Sequence, residues 1–145
     1  MEHEALKNYR AAETLGSTQL NLILQVYDGA LGALNRATGA YQAKQLDRGY
    51  NELEKARRFV THLYTTLNLE EGGEVAANLA RLYAFVISEI DSVQATKDLE
   101  HLEKIADVLR NVRDGWAGLK GQIEENGDKS DRTDSKQHQS FAASV

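Results

Sequence analysis

Residues 18–41 have the sequence TQLNLILQVYDGALGALNRATGAY, in which apolar side chains recur every three or four positions. This spacing is typical of an amphipathic helix. One apolar stripe consists of Ile23, Val26, Ala30, Leu34, Ala37 and Tyr41. A second stripe lies beside it and consists of Leu20, Leu24, Tyr27 and Leu31. Asp28 is the only formal charge between Thr14 and Asn35, so this helix has more apolar surface than one neighbouring helix can bury.

Three further helical patterns follow this first one, at about residues 46–67, 74–96 and 98–125. Each repeats apolar residues at helical spacing, and Gly72 and Gly73 break the pattern between the second and the third. The sequence contains no proline, which would cost a helix interior about 3 kcal/mol or more. Four long helices with short connections predict an all-α fold, an antiparallel four-helix bundle.

The regions outside the four helices differ from them in composition. Residues 1–17 form a short N-terminal segment, residues 18–125 form the bundle, and residues 126–145 form a tail with balanced charges and almost no apolar side chains. Because such a composition cannot offset the entropy lost on ordering, the tail is predicted to be disordered. The N-terminus has no basic region followed by an apolar run, so we expect no signal peptide and a cytoplasmic protein.

The composition argues against several classes of function. The chain of 145 residues has a net charge of −5 with basic and acidic residues interleaved, which argues against nucleic-acid binding. It has no cysteine, its four histidines are scattered, and it shows no phosphate-binding loop or nucleophile motif. We therefore predict no catalytic residue, no metal ligand, no cofactor and no enzymatic activity. Membrane insertion is not expected, because a span needs about 18 uninterrupted apolar residues.

The first and third helices carry more apolar surface than the second and fourth. The predicted core stripe of the third helix consists of Val75, Leu79, Leu82, Val86, Ile90 and Val93. Its additional apolar residues include Ala76, Tyr83 and Ile87. Since no helix is expected to be central in an up-and-down bundle, the excess is either exposed to a partner or covered by loops, by the N-terminal segment or by a second subunit.

Three blocks of the sequence carry a family resemblance. They are residues 18–31 (TQLNLILQVYDGAL), residues 67–83 (LNLEEGGEVAANLARLY) and residues 109–116 (LRNVRDGW). They resemble, in this order, the first helix, the turn between helices two and three, and the end of the last helix of the flagellin export chaperones, the FliS family. The order and spacing match along about residues 6–120, which is nearly the whole of the predicted bundle.

The resemblance implies a cytoplasmic chaperone that binds the disordered C-terminal segment of flagellin, prevents its premature polymerisation and delivers it to the export gate of the flagellar secretion apparatus. It implies that the additional apolar residues of two helices contact the client. These residues are Leu20, Leu24, Tyr27 and Leu31 on the first helix and Tyr83 and Ile87 on the third. The resemblance also implies that Leu6 and Tyr9 form a removable cap over this surface.

Two other interpretations remain open at the level of sequence. The apolar faces could be buried in a permanent homodimer, whereas a chaperone is expected to be a monomer or to self-associate weakly. A bundle that holds a small ligand or a metal would instead need convergent polar groups, of which the sequence offers few.

Several single residues also have more than one interpretation. Gly29 and Gly32 suggest close approach by a neighbouring helix or by a client. Asp28 is expected to be solvated, in preference to orienting an amide of a client or pairing with a basic residue across the bundle, and His62 is expected to be packed.

Overall fold

The computed structural model describes the backbone of residues 2–133 and, at the level of side chains, Gly16 and residues 18–121. This part of the chain contains four helices and no strand. The helices are α1 (Glu2–Gln42), α2 (Leu46–Thr65), α3 (Leu69–Thr96) and α4 (Leu99–Thr133). The predicted all-α, four-helix fold is therefore confirmed.

The helices surround one core, and α1 makes the most extensive contacts. α1 packs along both α2 and α4, α2 packs against α3, and α3 and α4 share a smaller contact. α1 also contacts α3 across the middle of the bundle. Because α1 contacts three helices, it buries apolar side chains over much of its circumference.

Apolar side chains from all four helices meet in the core. Its largest fully buried members include Leu20, Tyr27, Leu34, Leu53, Tyr83, Ile90, Leu102 and Leu109. Burying a side chain of this size stabilises a fold by about 1.5 to 3 kcal/mol. The core therefore supplies the principal force that holds the bundle together.

Each pair of neighbouring helices is also joined by a polar contact. These contacts are Arg36–Glu52 between α1 and α2, Arg57–Asp91 between α2 and α3, Glu89–His101 between α3 and α4, and Asp28–Arg113 between α1 and α4. Of these, Arg57–Asp91 and Asp28–Arg113 are exposed, and an exposed ion pair contributes less than about 1 kcal/mol, so these two add little to stability compared with the core.

α1 begins earlier than predicted. Its backbone is helical from Glu2, and a kink at Gly16 separates this first part from the helix expected to start at Thr18. Gly16 has φ 76° and ψ 166°, a conformation that glycine adopts because it has no Cβ. The predicted N-terminal segment therefore has a helical backbone, joined to the bundle through this glycine.

Gly72 and Gly73, which were predicted to separate two helices, lie inside α3. α2 ends at Thr65 and α3 begins at Leu69, where the side chain of Asn68 accepts a hydrogen bond from the backbone N–H of Glu71. Gly73, with φ 54° and ψ −130°, makes a kink inside α3. The asparagine cap starts the helix one turn before the kink.

α4 continues beyond its predicted end at Glu125, and its backbone is helical to Thr133. The part of the predicted disordered tail that follows, residues 134–145, lies outside the described residues.

Candidate functional site

A groove opens at the end of the bundle where α2 ends and α3 begins. Its volume is about 100 Å³. The apolar lining consists of Ile23 of α1, Leu63 of α2, Leu67 of the connection, Val75, Ala76, Leu79 and Tyr83 of α3, and Trp116 of α4. The groove thus lies between the middle parts of α1 and α4, the end of α2 and the first part of α3.

The floor and the rim of the groove differ in exposure. The floor consists of the buried residues Leu63, Ala76, Tyr83 and Trp116. The rim consists of the half-buried residues Ile23, Leu67, Val75 and Leu79. Part of the apolar surface of the rim thus remains in contact with water, and covering it would be favourable.

Beneath the groove, two buried tyrosines pair through their hydroxyl groups. The hydroxyls of Tyr27 in α1 and Tyr83 in α3 are hydrogen-bonded, and their ring centroids are 6.2 Å apart at an angle of 56°. Burial raises the pKa of Tyr83 to about 12 and that of Tyr27 further, so both hydroxyls keep their protons at neutral pH.

The wall formed by the start of α3 is closely packed. A Cβ atom placed on Gly72 would lie 2.6 Å from the Cβ of Ala76, closer than real Cβ contacts. Thr66, Asn68 and Glu71 add polar atoms along this edge. The start of α3 therefore forms a closely packed wall of the groove, which has polar atoms along its outer edge and lies next to the apolar floor.

Comparison with known proteins identifies the family. The model of the flagellar protein FliS family matches residues 1–123. The chain belongs to the FliS family. The resemblance predicted from three sequence blocks is thereby confirmed.

Curated relatives agree with this assignment. The flagellar secretion chaperone FliSB of Pseudomonas aeruginosa is 29% identical over 120 residues, which cover 80% of this chain and 95% of that protein. The flagellar secretion chaperone FliS of Vibrio cholerae is 25% identical over 114 residues, which cover 78% of this chain and 84% of that protein. The FliS chaperone of Salmonella typhimurium is 30% identical over 96 residues, which cover 66% and 71%.

Four of the six client-contact residues predicted for this FliS family member do not lie on the surface. Leu20 and Tyr27 are fully buried, and Leu24 and Tyr83 are nearly so. Their expected exposure is a mistake of helical phase, because adjacent positions of a helix differ by only about 100° around its axis. Packing of α1 on three helices turns the second stripe inward.

The same error applies to the first part of α3. Val75, Leu79 and Leu82, predicted as core, are half-buried, whereas Ala76 and Tyr83 are buried. Both faces of this stretch are apolar, so periodicity alone could not choose between them.

Of the six predicted contact residues, only Tyr83 lines the groove. Leu31 and Ile87 are half-buried and pack against the core elsewhere. Leu6 and Tyr9, the predicted cap, lie outside the residues whose side chains are described.

Sequence analysis missed the rim residues Ile23, Leu67, Val75 and Leu79 as a site. In the sequence each of these residues is an ordinary apolar position. The only indication of a site was the excess of apolar surface at the start of the third helix. Among the residues whose side chains are described, four leucine and phenylalanine side chains are exposed, Leu22, Leu46, Leu69 and Phe85.

The structure also decides between the interpretations that the sequence left open for several single residues. The ring of Phe59 in α2 lies against Gly29, where a Cβ would be 2.7 Å from it, so a neighbouring helix explains this glycine. Gly32 faces only Arg36 of its own helix. Asp28 pairs with Arg113 and is not simply solvated, and His62 is exposed, not packed.

The described residues contain no group of three or more His, Cys, Asp or Glu side chains that could hold a metal ion. In the same part of the chain, no helix has the length and apolar character needed to cross a membrane.

Proposed function

We propose that this protein is a cytoplasmic chaperone that binds the disordered C-terminal segment of flagellin and prevents its premature polymerisation. We propose further that it delivers flagellin to an export gate component of the flagellar secretion apparatus, and that it has no enzymatic activity. Membership of the FliS family supports this function, since relatives are named flagellar secretion chaperones. In this chain the proposal rests on the groove with its half-buried apolar rim.

The groove suits a client that is unfolded when free. A disordered segment can cover a large surface, and the entropy that it loses keeps the net affinity modest. When such a segment becomes partly helical, its regularly spaced apolar side chains can occupy a groove between helices. Ile23, Val75 and Leu79 offer apolar surface for these side chains at one end of the bundle.

The predicted contact residues take two roles in this proposal. Tyr83 contacts the client from the floor of the groove, and Leu31 and Ile87 extend the contact along the bundle. The buried residues Leu20, Leu24 and Tyr27 support this surface from beneath. Leu6 and Tyr9 cover the groove when no client is bound, and the helical backbone before Gly16 moves away when flagellin binds.

A titration with a peptide of the flagellin C-terminal segment tests this function. Trp116 is the only tryptophan of the chain and lines the groove, so its fluorescence should change on binding. Leu79→Ala should weaken binding about tenfold, because it removes apolar contact worth about 1.5 kcal/mol. Phe85→Ala is the matched control, since Phe85 is exposed on the same helix outside the groove, and it should leave the affinity unchanged.

Two measurements complete the test. Seeded polymerisation of flagellin should slow when the chaperone is present in equal amount. Sedimentation of the isolated protein should show a monomer or weak self-association. A stable dimer that does not bind the peptide would support the permanent homodimer and overturn the proposed function.

A further inference from the structure

The polar edge of the groove carries a negative charge. Glu71 is the only charged residue in the lining of the groove, as far as the structure describes the chain. Its side chain is exposed, and its carboxylate makes no hydrogen bond or ion pair with the described residues. The rim residues Val75 and Leu79 belong to the same lining. A carboxylate without a protein partner thus lies at the edge of an apolar groove.

The local sequence offers Glu71 a partner that it does not take. Asn68 at the N-cap of α3 and Glu71 three residues later have the spacing of a capping box, in which each side chain bonds to the backbone N–H of the other residue. The Asn68 side chain accepts a hydrogen bond of 3.0 Å from the Glu71 N–H. Within the described part of the chain, the return bond from the Asn68 N–H to the Glu71 carboxylate does not form. The carboxylate is therefore available to a ligand in the groove.

The helix end does not by itself distinguish Glu71 from its neighbour. Glu70 and Glu71 both lie in the first turn of α3, where the positive end of the helix dipole favours a negative charge. Glu70 is also exposed, but it does not line the groove. Contact with the groove is therefore the property that separates these two adjacent glutamates.

A client that covers the rim also covers part of this charge. An apolar segment on Val75 and Leu79 removes water from one side of the Glu71 carboxylate, and burying a charge without a partner is costly. A Lys or Arg side chain offsets this cost, because a hydrogen-bonded ion pair becomes stronger as water is excluded. The groove therefore favours an apolar segment that has a basic residue beside its apolar side chains.

We infer that Glu71 is a specificity-determining residue, which pairs with a Lys or Arg side chain of the segment bound in the groove. This inference rests on the proposed function and adds the charge that the client must carry next to its apolar side chains. The basic residue lies on the side of the connection between α2 and α3, because Thr66, Asn68 and Glu71 form that edge. The apolar rim supplies most of the affinity, and the ion pair selects the register of the client.

Glu71→Gln tests the inference, because it removes the charge and keeps the length of the side chain. It should weaken binding of the flagellin C-terminal peptide about two- to fivefold at low salt, the range of a partly exposed ion pair. The loss should nearly disappear at about 1 M salt, where the screening length falls to about 3 Å.

Glu70→Gln is the matched control, since it makes the same change in net charge at the same helix end. It should change the affinity by less than about 1.5-fold at either salt concentration. Urea unfolding of both variants establishes that each is folded.

Changes in the peptide locate the basic residue and do not depend on a variant protein being folded. Each Lys and Arg of the peptide is replaced in turn by Gln. One replacement should weaken binding to the wild-type protein about two- to fivefold and leave binding to Glu71→Gln unchanged. When the same peptide residue is replaced by Glu, the peptide should bind Glu71→Lys more tightly than it binds the wild-type protein, because reversing both charges restores the pair.

The possible results separate the two proposals. If the wild-type protein binds the peptide and Glu71→Gln binds it equally well at low salt, the inference is wrong and the proposed function stands. The inference is also wrong if Glu70→Gln weakens binding as much as Glu71→Gln, because the attraction then belongs to the whole helix end. It is wrong again if no Lys or Arg of the peptide acts through Glu71. If the wild-type protein does not bind the peptide, both proposals fail.

Discussion

Asp28 of α1 and Arg113 of α4 lie 85 positions apart in the sequence, and two hydrogen bonds of 3.0 and 3.4 Å join them. Asp28 is the only formal charge of α1 between Thr14 and Asn35. Arg113 lies one turn before Trp116, which lines the groove. Arg113 also contacts Asp114, which keeps its guanidinium at the surface.

The first prediction concerns this ion pair. Asp28→Ala and Arg113→Ala should each lower the free energy of unfolding by up to about 1 kcal/mol, since the pair is partly exposed. In a double-mutant cycle, the coupling between them should decrease as salt is added. Urea unfolding at low and high ionic strength measures both quantities. A coupling of zero at low salt would show that the pair does not join the helices in solution.

The second prediction concerns the core. Leu109→Ala should lower the free energy of unfolding by about 2 to 5 kcal/mol, because Leu109 is fully buried and its truncation leaves a cavity. Leu22→Ala removes the same atoms from a side chain that is 56% exposed, and its effect should stay within about 0.5 kcal/mol. Equal effects of the two changes in chemical unfolding would contradict the assignment of Leu109 to the core and of Leu22 to the surface.

The third prediction concerns the kink in α3. Gly73 has positive φ, so Gly73→Ala should destabilise the protein by about 1 to 3 kcal/mol even though no atom would clash with the new Cβ. Gly115→Ala is the control, since Gly115 lies inside α4 with open space around it. That change should stabilise the protein by up to about 1 kcal/mol. Thermal unfolding of the two variants should therefore shift in opposite directions.

The fourth prediction concerns acid pH. Burial acts to raise the pKa of Glu52, but hydrogen bonds from Arg36 and Lys55 hold it below its ordinary value. The carboxylate therefore stabilises the fold at neutral pH, and this contribution is lost as the pH falls through the lowered pKa. Glu52→Gln should cost on the order of 1 kcal/mol at pH 7.

The difference in unfolding free energy between the wild type and Glu52→Gln should disappear in acid, and unfolding as a function of pH measures it. Asp107→Asn is the control, because its pair with Arg110 lies at the surface within one helix. If the difference between the wild type and Glu52→Gln grew in acid, folding would not lower the pKa of Glu52, and the prediction would be wrong.

The fifth prediction concerns the proposed cap. If the N-terminal segment and the client compete for the groove, Tyr9→Ala should speed association of the flagellin peptide, because less of the population must open first. Stopped-flow fluorescence of Trp116 measures this rate. Tyr64→Ala is the control, since Tyr64 is an exposed tyrosine that does not line the groove. Unchanged association and dissociation rates for Tyr9→Ala would remove Leu6 and Tyr9 from the site.

The sequence alone determined the class of fold and the family. Apolar spacing and the absence of proline sufficed for four helices, because a helix depends on local backbone bonds and on a repeating pattern. Three blocks in the correct order sufficed for the FliS family. The ends of the helices were less predictable, since Gly16 and Gly73 produce kinks within helices and not breaks between them.

Only the tertiary structure decided which apolar face of α1 and α3 is the inner one. Leu24 and Tyr27 lie one position after Ile23 and Val26, so both stripes satisfy the same helical period. The choice depends on how many neighbours surround each helix, which is a property of the assembled bundle. Contact of α1 with three helices buries Tyr27 beside Tyr83, 56 positions away, and leaves the rim of the groove half-buried.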